Sequence, residues 1–136
     1  MKILILHGPN MNLLGLRSTK DGSRITLDKV NRTLRQQARN TDIELKIFQT
    51  HDEGEAVTFF HRNRNKADGL LFSPCAWHNC GFVIADTLKL INLPYITISL
   101  DKNKTSVYSG IADVQNSNAI DGYLEGLKKL ITYLNK

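Results

Sequence analysis

Apolar and polar positions follow two alternating patterns along this chain. Short apolar runs predict strands over residues 2–7, 70–73 and 95–99, and alternating apolar positions predict a further strand over residues 43–49. A fifth, shorter strand is expected near residues 110–114. The strand segments are therefore spread over the whole chain, with room for a helix between successive strands.

Helical periodicity fills the intervals between these strands. Leu27, Val30, Leu34 and Ala38 lie on one helical face, and Asp52 is a candidate N-cap for a helix over residues 53–64. Further helices are predicted over residues 82–91 and 120–134. Alternating strands and helices predict an α/β fold with a parallel sheet. We expect one domain over residues 1–136, a flavodoxin-like three-layer sandwich with a five-stranded parallel sheet.

Composition narrows the possible partners. The 136 residues carry 18 Lys and Arg against 13 Asp and Glu, a net charge of +5, and the cations are scattered. A nucleic-acid interface would concentrate them, so no nucleic-acid partner is expected. No apolar run approaches the roughly 20 residues that cross a bilayer, and no signal-peptide pattern is present, so we expect no membrane partner and a cytoplasmic location. A basic balance around one pocket favours a small anionic ligand.

Two long connections point to a site. They cover residues 8–25 and 100–118, and each leaves the carboxyl end of a predicted strand. Long loops in compact domains are usually functional, and ligands of open α/β sheets bind at this edge. We expect both connections to flank one crevice.

The two cysteines, Cys75 and Cys80, match neither a redox pair nor a zinc site. Reduced thiols near a helix start are the expected interpretation. A Cys-His hydrolase built on either thiol with His78 is an alternative, although catalysis would need a thiolate aligned with the imidazole.

Five segments of the chain, in order, resemble the type II 3-dehydroquinate dehydratases (type II dehydroquinases). The segments are residues 5–17 (ILHGPNMNLLGLR), 26–28 (TLD), 53–55 (EGE), 68–74 (DGLLFSP) and 93–96 (LPYI). The resemblance implies the flavodoxin-like fold and a homo-oligomer, trimer-based and commonly a dodecamer. It also implies elimination of water from 3-dehydroquinate without a metal or cofactor, by a tyrosine base, an enolate-binding asparagine and a histidine acid.

Three family positions are retained. Asn10 matches the enolate-stabilising asparagine, and Arg17 matches the arginine of the first loop. Asp86 matches the aspartate that reaches a neighbouring subunit's site. The resemblance therefore implies that an anion-binding turn and loop arginine remain.

Other family positions are substituted. The base tyrosine falls on Gly22, the acid histidine on Ser99 and its orienting glutamate on Thr97. Among the substrate-binding positions, Asp101 replaces a serine that helps hold the substrate carboxylate. The remaining expected lining residues are Ser73, His78, Asn79 and Leu100.

Glycine cannot accept a proton, and an unperturbed serine is not an acid near neutral pH. Since each general acid or base contributes roughly 10²–10⁴-fold, the substitutions predict weak or absent dehydration. Three hypotheses remain: a diverged enzyme or binder of a small anionic ligand, a working dehydratase with replacement acid and base, and a non-catalytic oligomeric binding protein. The candidate replacements are Lys20, His78, Lys102, Lys104 and Tyr108.

Overall fold

A computed structural model describes residues 1–19, 24–102 and 106–136 of the chain. Its centre is a five-stranded parallel sheet with strand order β2-β1-β3-β4-β5. The strands are β1 (Lys2–His7), β2 (Glu44–Gln49), β3 (Gly69–Ser73), β4 (Tyr95–Ser99) and β5 (Ala112–Gln115). The predicted fold class is confirmed, and this order reverses direction between β1 and β3, where doubly wound sheets open a crevice.

Five helices connect and cover the strands. They are α1 (Leu14–Thr19), α2 (Leu27–Ala38), α3 (Glu53–Asn63), α4 (Phe82–Ile91) and α5 (Ala119–Leu134). Thr26, Asp52 and Asn118 cap α2, α3 and α5, each side chain accepting a hydrogen bond from a backbone N–H of the first turn. None of these helices, in the part of the chain that the structure describes, is long and apolar enough to cross a membrane.

Two apolar layers sandwich the sheet. On one face, Val30 and Leu34 of α2 pack with Leu127 and Leu130 of α5 against alternate strand residues. On the other, α3 and α4 contribute Ala56, Phe60, Ile84 and Leu88. The central strands β1, β3 and β4 are buried on both faces, which explains their continuous apolar runs.

The first connection is more ordered than the sequence suggests. A 3₁₀ turn over Met11–Leu13 leads directly into α1, whereas the sequence predicted only a long loop. Met11 and Leu14 are buried against the α2–α5 layer and attach this segment to the core. Six residues are too few for hydrophobic periodicity to be recognised, so tertiary packing determines this helix.

A buried polar cluster joins β1, β3 and α5 beneath the carboxyl edge of the sheet. His7 Nε2 lies 2.8 Å from Asn31 Oδ1 of α2, an oxygen that can only accept, so Nε2 carries the proton of the neutral ring. Nδ1 therefore accepts from the Tyr123 hydroxyl at 2.8 Å, and that hydroxyl accepts from Ser73 Oγ. His7, Ser73 and Tyr123 are each fully buried, and every polar group in the chain of bonds has a partner.

Burial makes this cluster sensitive to acid. It lowers the pKa of His7 from 6.5 to about 4, with the hydrogen bond to Asn31 acting in the opposite direction. Burial also raises the pKa of Tyr123 far above its usual value. Both side chains are therefore neutral at pH 7, which a buried hydrogen-bonded pair requires.

We expect the folded protein to lose stability as pH falls from 6.5 towards 4. The unfolded imidazole takes up a proton across this window while the folded one does not, so His7 costs on the order of 3 kcal/mol by pH 4. Urea unfolding at pH 7, 6, 5 and 4.5 would measure the slope.

Exposed His61 supplies the matched control: His7→Gln should flatten the slope, and His61→Gln should leave it unchanged. If His7→Gln does not fold, NMR of the wild type provides the test instead. The Cε1–H resonance of His7 should then not titrate above pH 5. A His7 resonance that titrates near pH 6.5 would contradict the prediction.

Candidate functional site

A cleft of about 540 Å³ lies at the carboxyl ends of β1, β3 and β4. Three segments line it, one at the end of each of these strands, and the segment after β1 includes one face of α1. The lining residues are Pro9, Asn10, Met11, Leu13, Leu14, Leu16, Arg17, Cys75, Ala76, His78, Ile98, Ser99, Leu100 and Asp101. The cleft thus occupies the topological switch point of the sheet.

The floor of the cleft depends on a close approach of two backbones. Gly8 N–H donates to the Ser73 carbonyl at 2.9 Å, and a Cβ at Gly8 would lie 2.5 Å from that oxygen and 2.9 Å from the Pro74 carbonyl. Only glycine fits here. This contact explains why a glycine must begin the Gly-Pro-Asn turn after β1.

Two lining residues have left-handed backbone conformations. Asn10 has φ 66° and Cys75 has φ 52°. Asparagine tolerates this region, whereas cysteine adopts it rarely. The Asn10 backbone N–H donates to His51 Nδ1 at 3.2 Å, so an imidazole from the end of β2 supports the turn. Strained backbone of this kind concentrates at ligand sites.

An ion pair spans the mouth of the cleft. Arg17 of α1 donates from its guanidinium to the carboxylate of Asp101, which follows β4. The two side chains remain 46% and 67% exposed, so solvent screens the pair and its contribution to stability is small. Its consequence is chemical: the cation that would receive an anionic ligand already holds a carboxylate of this chain.

A second carboxylate lies behind the end of β4. Asp113 of β5 accepts hydrogen bonds on Oδ1 from Thr97 Oγ1 at 2.5 Å and from Ser99 Oγ at 3.0 Å. Thr97 and Ser99 are buried and point to the same face of β4, while Asp113 is exposed. The two hydroxyls therefore share one carboxylate oxygen, and only Ser99 of the three lines the cleft.

The cysteines are both free thiols, as expected. Burial raises the pKa of Cys75 to about 12, which keeps its sulfur protonated although it lines the cleft. Cys80 is exposed and does not line the cleft. These properties argue against the Cys-His hydrolase, since a nucleophile at Cys75 would have to be a thiolate.

Tyr108 does not line the cleft and packs instead against the segment that follows β3. Its hydroxyl donates to the Trp77 and Gly81 carbonyls at 3.1 and 3.4 Å, and its ring packs edge-on against Phe72. Burial raises the pKa of Tyr108. A Cβ at Gly81 would lie 2.2 Å from the hydroxyl, so glycine makes room for this contact. Tyr108 therefore ties the segment after β4 to the turn after β3.

The residues predicted for the site are placed as follows. Asn10, Arg17, His78, Ser99, Leu100 and Asp101 line one cleft. Ser73 lies beneath it with its hydroxyl on Tyr123, and exposed Asn79 lies outside the lining. Asp86 is exposed on α4 and does not line the cleft, and Lys20, Gly22 and Lys104 lie outside the described residues.

Within residues 1–19, 24–102 and 106–136, no group of three or more His, Cys, Asp or Glu side chains is arranged to hold a metal ion. The described polar side chains of the cleft can donate from Arg17 and accept at Asp101. They suit an organic anion that also carries hydroxyl groups.

Sequence reasoning missed two contributors. His51 is exposed, yet its ring accepts a hydrogen bond from the turn at Asn10, and Asp113 accepts one from Ser99. A signal for His51 existed, because it follows β2 at the same edge of the sheet as Asn10. Asp113 carried no such signal, since the register of β5 against β4 places it beside Thr97.

Comparison with known proteins identifies relatives over the full length of the chain. The family model described as "Dehydroquinase class II" matches residues 1–130. A 3-dehydroquinate dehydratase from Geotalea daltonii is 34% identical over 145 residues, covering 100% of both chains. Another from Trichodesmium erythraeum is also 34% identical, covering 97% of this chain and 93% of its own.

Solved structures share the fold. A type II dehydroquinase from Butyrivibrio crossotus superposes with a TM-score of 0.84 at 20% identity, covering 96% of this chain and 97% of its own. One from Propionibacterium acnes gives 0.81 at 25% identity, covering 96% and 98%. A 3-dehydroquinate dehydratase-like protein from Bifidobacterium longum gives 0.76 at 19% identity, covering 100% and 99%.

Proposed function

The chain belongs to the class II dehydroquinase family, and from that premise we propose that its cleft binds a small anionic cyclic hydroxy acid while the dehydration of 3-dehydroquinate is weak or absent. Binding is supported by the retained Gly-Pro-Asn turn, by Asn10 in its left-handed conformation and by Arg17 at the mouth. A guanidinium beside a backbone turn is suited to a carboxylate.

The observation that carries the second half of the proposal is the state of Ser99. The sequence resemblance puts Ser99 at the family's acid position, and its hydroxyl donates to Asp113. A serine in this arrangement has no acidic proton to deliver to a leaving hydroxyl near neutral pH. Among the described residues that line the cleft there is also no tyrosine to act as the base.

A second candidate is a working dehydratase that uses replacement groups. It is favoured by His78, an imidazole that lines the cleft within the turn after β3. Asp101 is the carboxylate in the same lining that could accept a proton. Neither occupies a family acid or base position, which is why we place this function second. A non-catalytic binding protein would use the same cleft without turnover.

An assay of the purified protein with 3-dehydroquinate separates the working dehydratase from the function proposed first. We expect a kcat well below about 1 s⁻¹, since two proton-transfer groups are missing and typical enzymes turn over at about 1–10³ s⁻¹. The conjugated enone of 3-dehydroshikimate gives the absorbance signal, and the Geotalea daltonii relative serves as the positive control. Turnover at the level of that control would establish the second candidate, with His78→Ala as the variant that should then abolish it.

The ion pair at the mouth gives a test of ligand binding. Arg17→Ala should weaken the binding of quinate, and Asp101→Asn should strengthen it severalfold, because the ligand carboxylate no longer competes with Asp101 for the guanidinium. Isothermal titration at low and at physiological ionic strength would measure both effects, and the melting temperature should stay within a few degrees.

Arg35→Ala is the matched control, since it removes an exposed arginine on the outer side of α2. Equal quinate affinities in the wild type, Arg17→Ala and Asp101→Asn would show that the ion pair takes no part in binding.

A homo-oligomer, trimer-based as in the family, is the second part of the proposal. Its support is the exposed face of α4, where Phe82, Val83 and Leu90 are 67%, 52% and 76% exposed. Large apolar side chains grouped on one helix mark an interaction surface, and Asp86 lies on the same face.

Sedimentation velocity should give a mass above that of the monomer, and Leu90→Asp should shift the protein towards the monomer by placing a charge in the interface. Arg35→Asp on α2 should leave the mass unchanged. A monomeric wild type at micromolar concentration would contradict the proposal.

A further inference from the structure

Asp113 lies on the last strand of the sheet, where it is placed by strand register. Its Cα pairs with Thr97 across the β4–β5 ladder, and Gln115 pairs with Ser99. From that position its Oδ1 reaches both Thr97 Oγ1 and Ser99 Oγ, at 2.5 and 3.0 Å. An exposed carboxylate thus orients the hydroxyl of Ser99, a buried residue that lines the cleft.

The protons in this group can be counted. An ionised carboxylate only accepts, and each hydroxyl has one proton to donate and lone pairs with which to accept. Thr97 and Ser99 both donate to Oδ1, so neither has a proton left for another partner. Where this oxygen meets a ligand in the cleft that Ser99 lines, it therefore offers lone pairs only.

We propose that Asp113 is a positioning residue that turns Ser99 into a hydrogen-bond acceptor, so that the cleft selects a ligand with a hydroxyl, and not a carbonyl oxygen, at that point. The inference rests on the proposed binding of a cyclic carboxylate. Beyond that binding, the inference specifies that the ligand carbon nearest the end of β4 carries a hydroxyl group and not a carbonyl oxygen.

The rest of the cleft wall agrees with this polarity. Asp101, two residues beyond Ser99, also presents acceptor oxygens, and its ion pair leaves part of the carboxylate exposed. Arg17 is the charged donor among the described lining residues. A ligand that places its carboxylate at Arg17 and a hydroxyl against the end of β4 satisfies both sides, whereas a ketone there would face the side-chain oxygens of Ser99 and Asp101, which do not donate to it.

Matched probes test the wild-type protein directly. The probes are the 3- and 4-hydroxycyclohexanecarboxylates as single isomers, their oxo counterparts, and cyclohexanecarboxylate, with affinities from ligand-observed NMR titrations. At least one hydroxy probe should bind roughly three- to tenfold more tightly than its oxo counterpart, the effect of one neutral hydrogen bond.

A double-mutant cycle tests the role of Asp113. Ser99→Ala and Asp113→Ala should each reduce the hydroxy-to-oxo affinity ratio to about one, and the double variant should lose nothing further, because Asp113 acts through Ser99. Cyclohexanecarboxylate should bind all variants equally. Gln115→Ala, which truncates an exposed side chain on the same face of β5, is the control and should keep the wild-type ratio.

Each outcome decides the matter. A wild-type ratio of one, a preference for the oxo probes, or a ratio that survives Asp113→Ala overturns the inference while leaving the proposed binding intact. Failure of every probe, including cyclohexanecarboxylate, to bind the folded wild type overturns both. A partial unfolding of Asp113→Ala would lower all affinities together and cancel in the hydroxy-to-oxo ratio, so the ratio measured on this variant still decides.

Discussion

The hydrogen bonds that join His7, Tyr123 and Ser73 hold together the two strand ends on which the cleft is built. Each partner is fully buried between the sheet and α5, so a broken bond would leave a polar group without water. Such a group costs about 1–3 kcal/mol. Together with the backbone contact between Gly8 and Ser73, the cluster fixes the turn after β1 relative to the turn after β3. The charged side chains at the mouth are exposed and can rearrange, but the floor beneath them cannot.

The strands and four of the five described α-helices could be predicted because the residues that they bury form apolar runs or recur at helical spacing in the sequence. Leu27, Val30 and Leu34 have helical spacing, and α2 begins and ends where that spacing indicates. Helix α1 could not be predicted, since a helix of one and a half turns is too short for its apolar residues to show the helical repeat. Its position depends on Met11 and Leu14 reaching a core assembled from distant segments.

The site was predictable only in outline, for a related reason. Residues that directly follow strands, such as Asn10 and Asp101, are brought to one edge by topology, and the sequence shows this. Whether a side chain points into the cleft or beneath it depends on its partner. Ser73 was expected to face a ligand, and its hydroxyl instead bonds to Tyr123, fifty residues away along the chain. Sequence spacing cannot reveal a partner of that kind.

The polar side chains at the end of β4 are consistent with one another once Asp113 is included. Two hydroxyls at alternate positions of the strand would leave buried oxygens unsatisfied if the residue opposite were apolar. Asp113 accepts from both, so the polarity of Thr97 and Ser99 is matched across the strand pair. A group built in this way orients an oxygen and supplies no proton near neutral pH. The charged groups at the mouth are also paired within the chain, since Arg17 and Asp101 form an ion pair without a ligand. In the binding proposed above, the ligand carboxylate would therefore replace one already bound, and the net affinity would come from the hydrogen bonds that the ligand adds along β4.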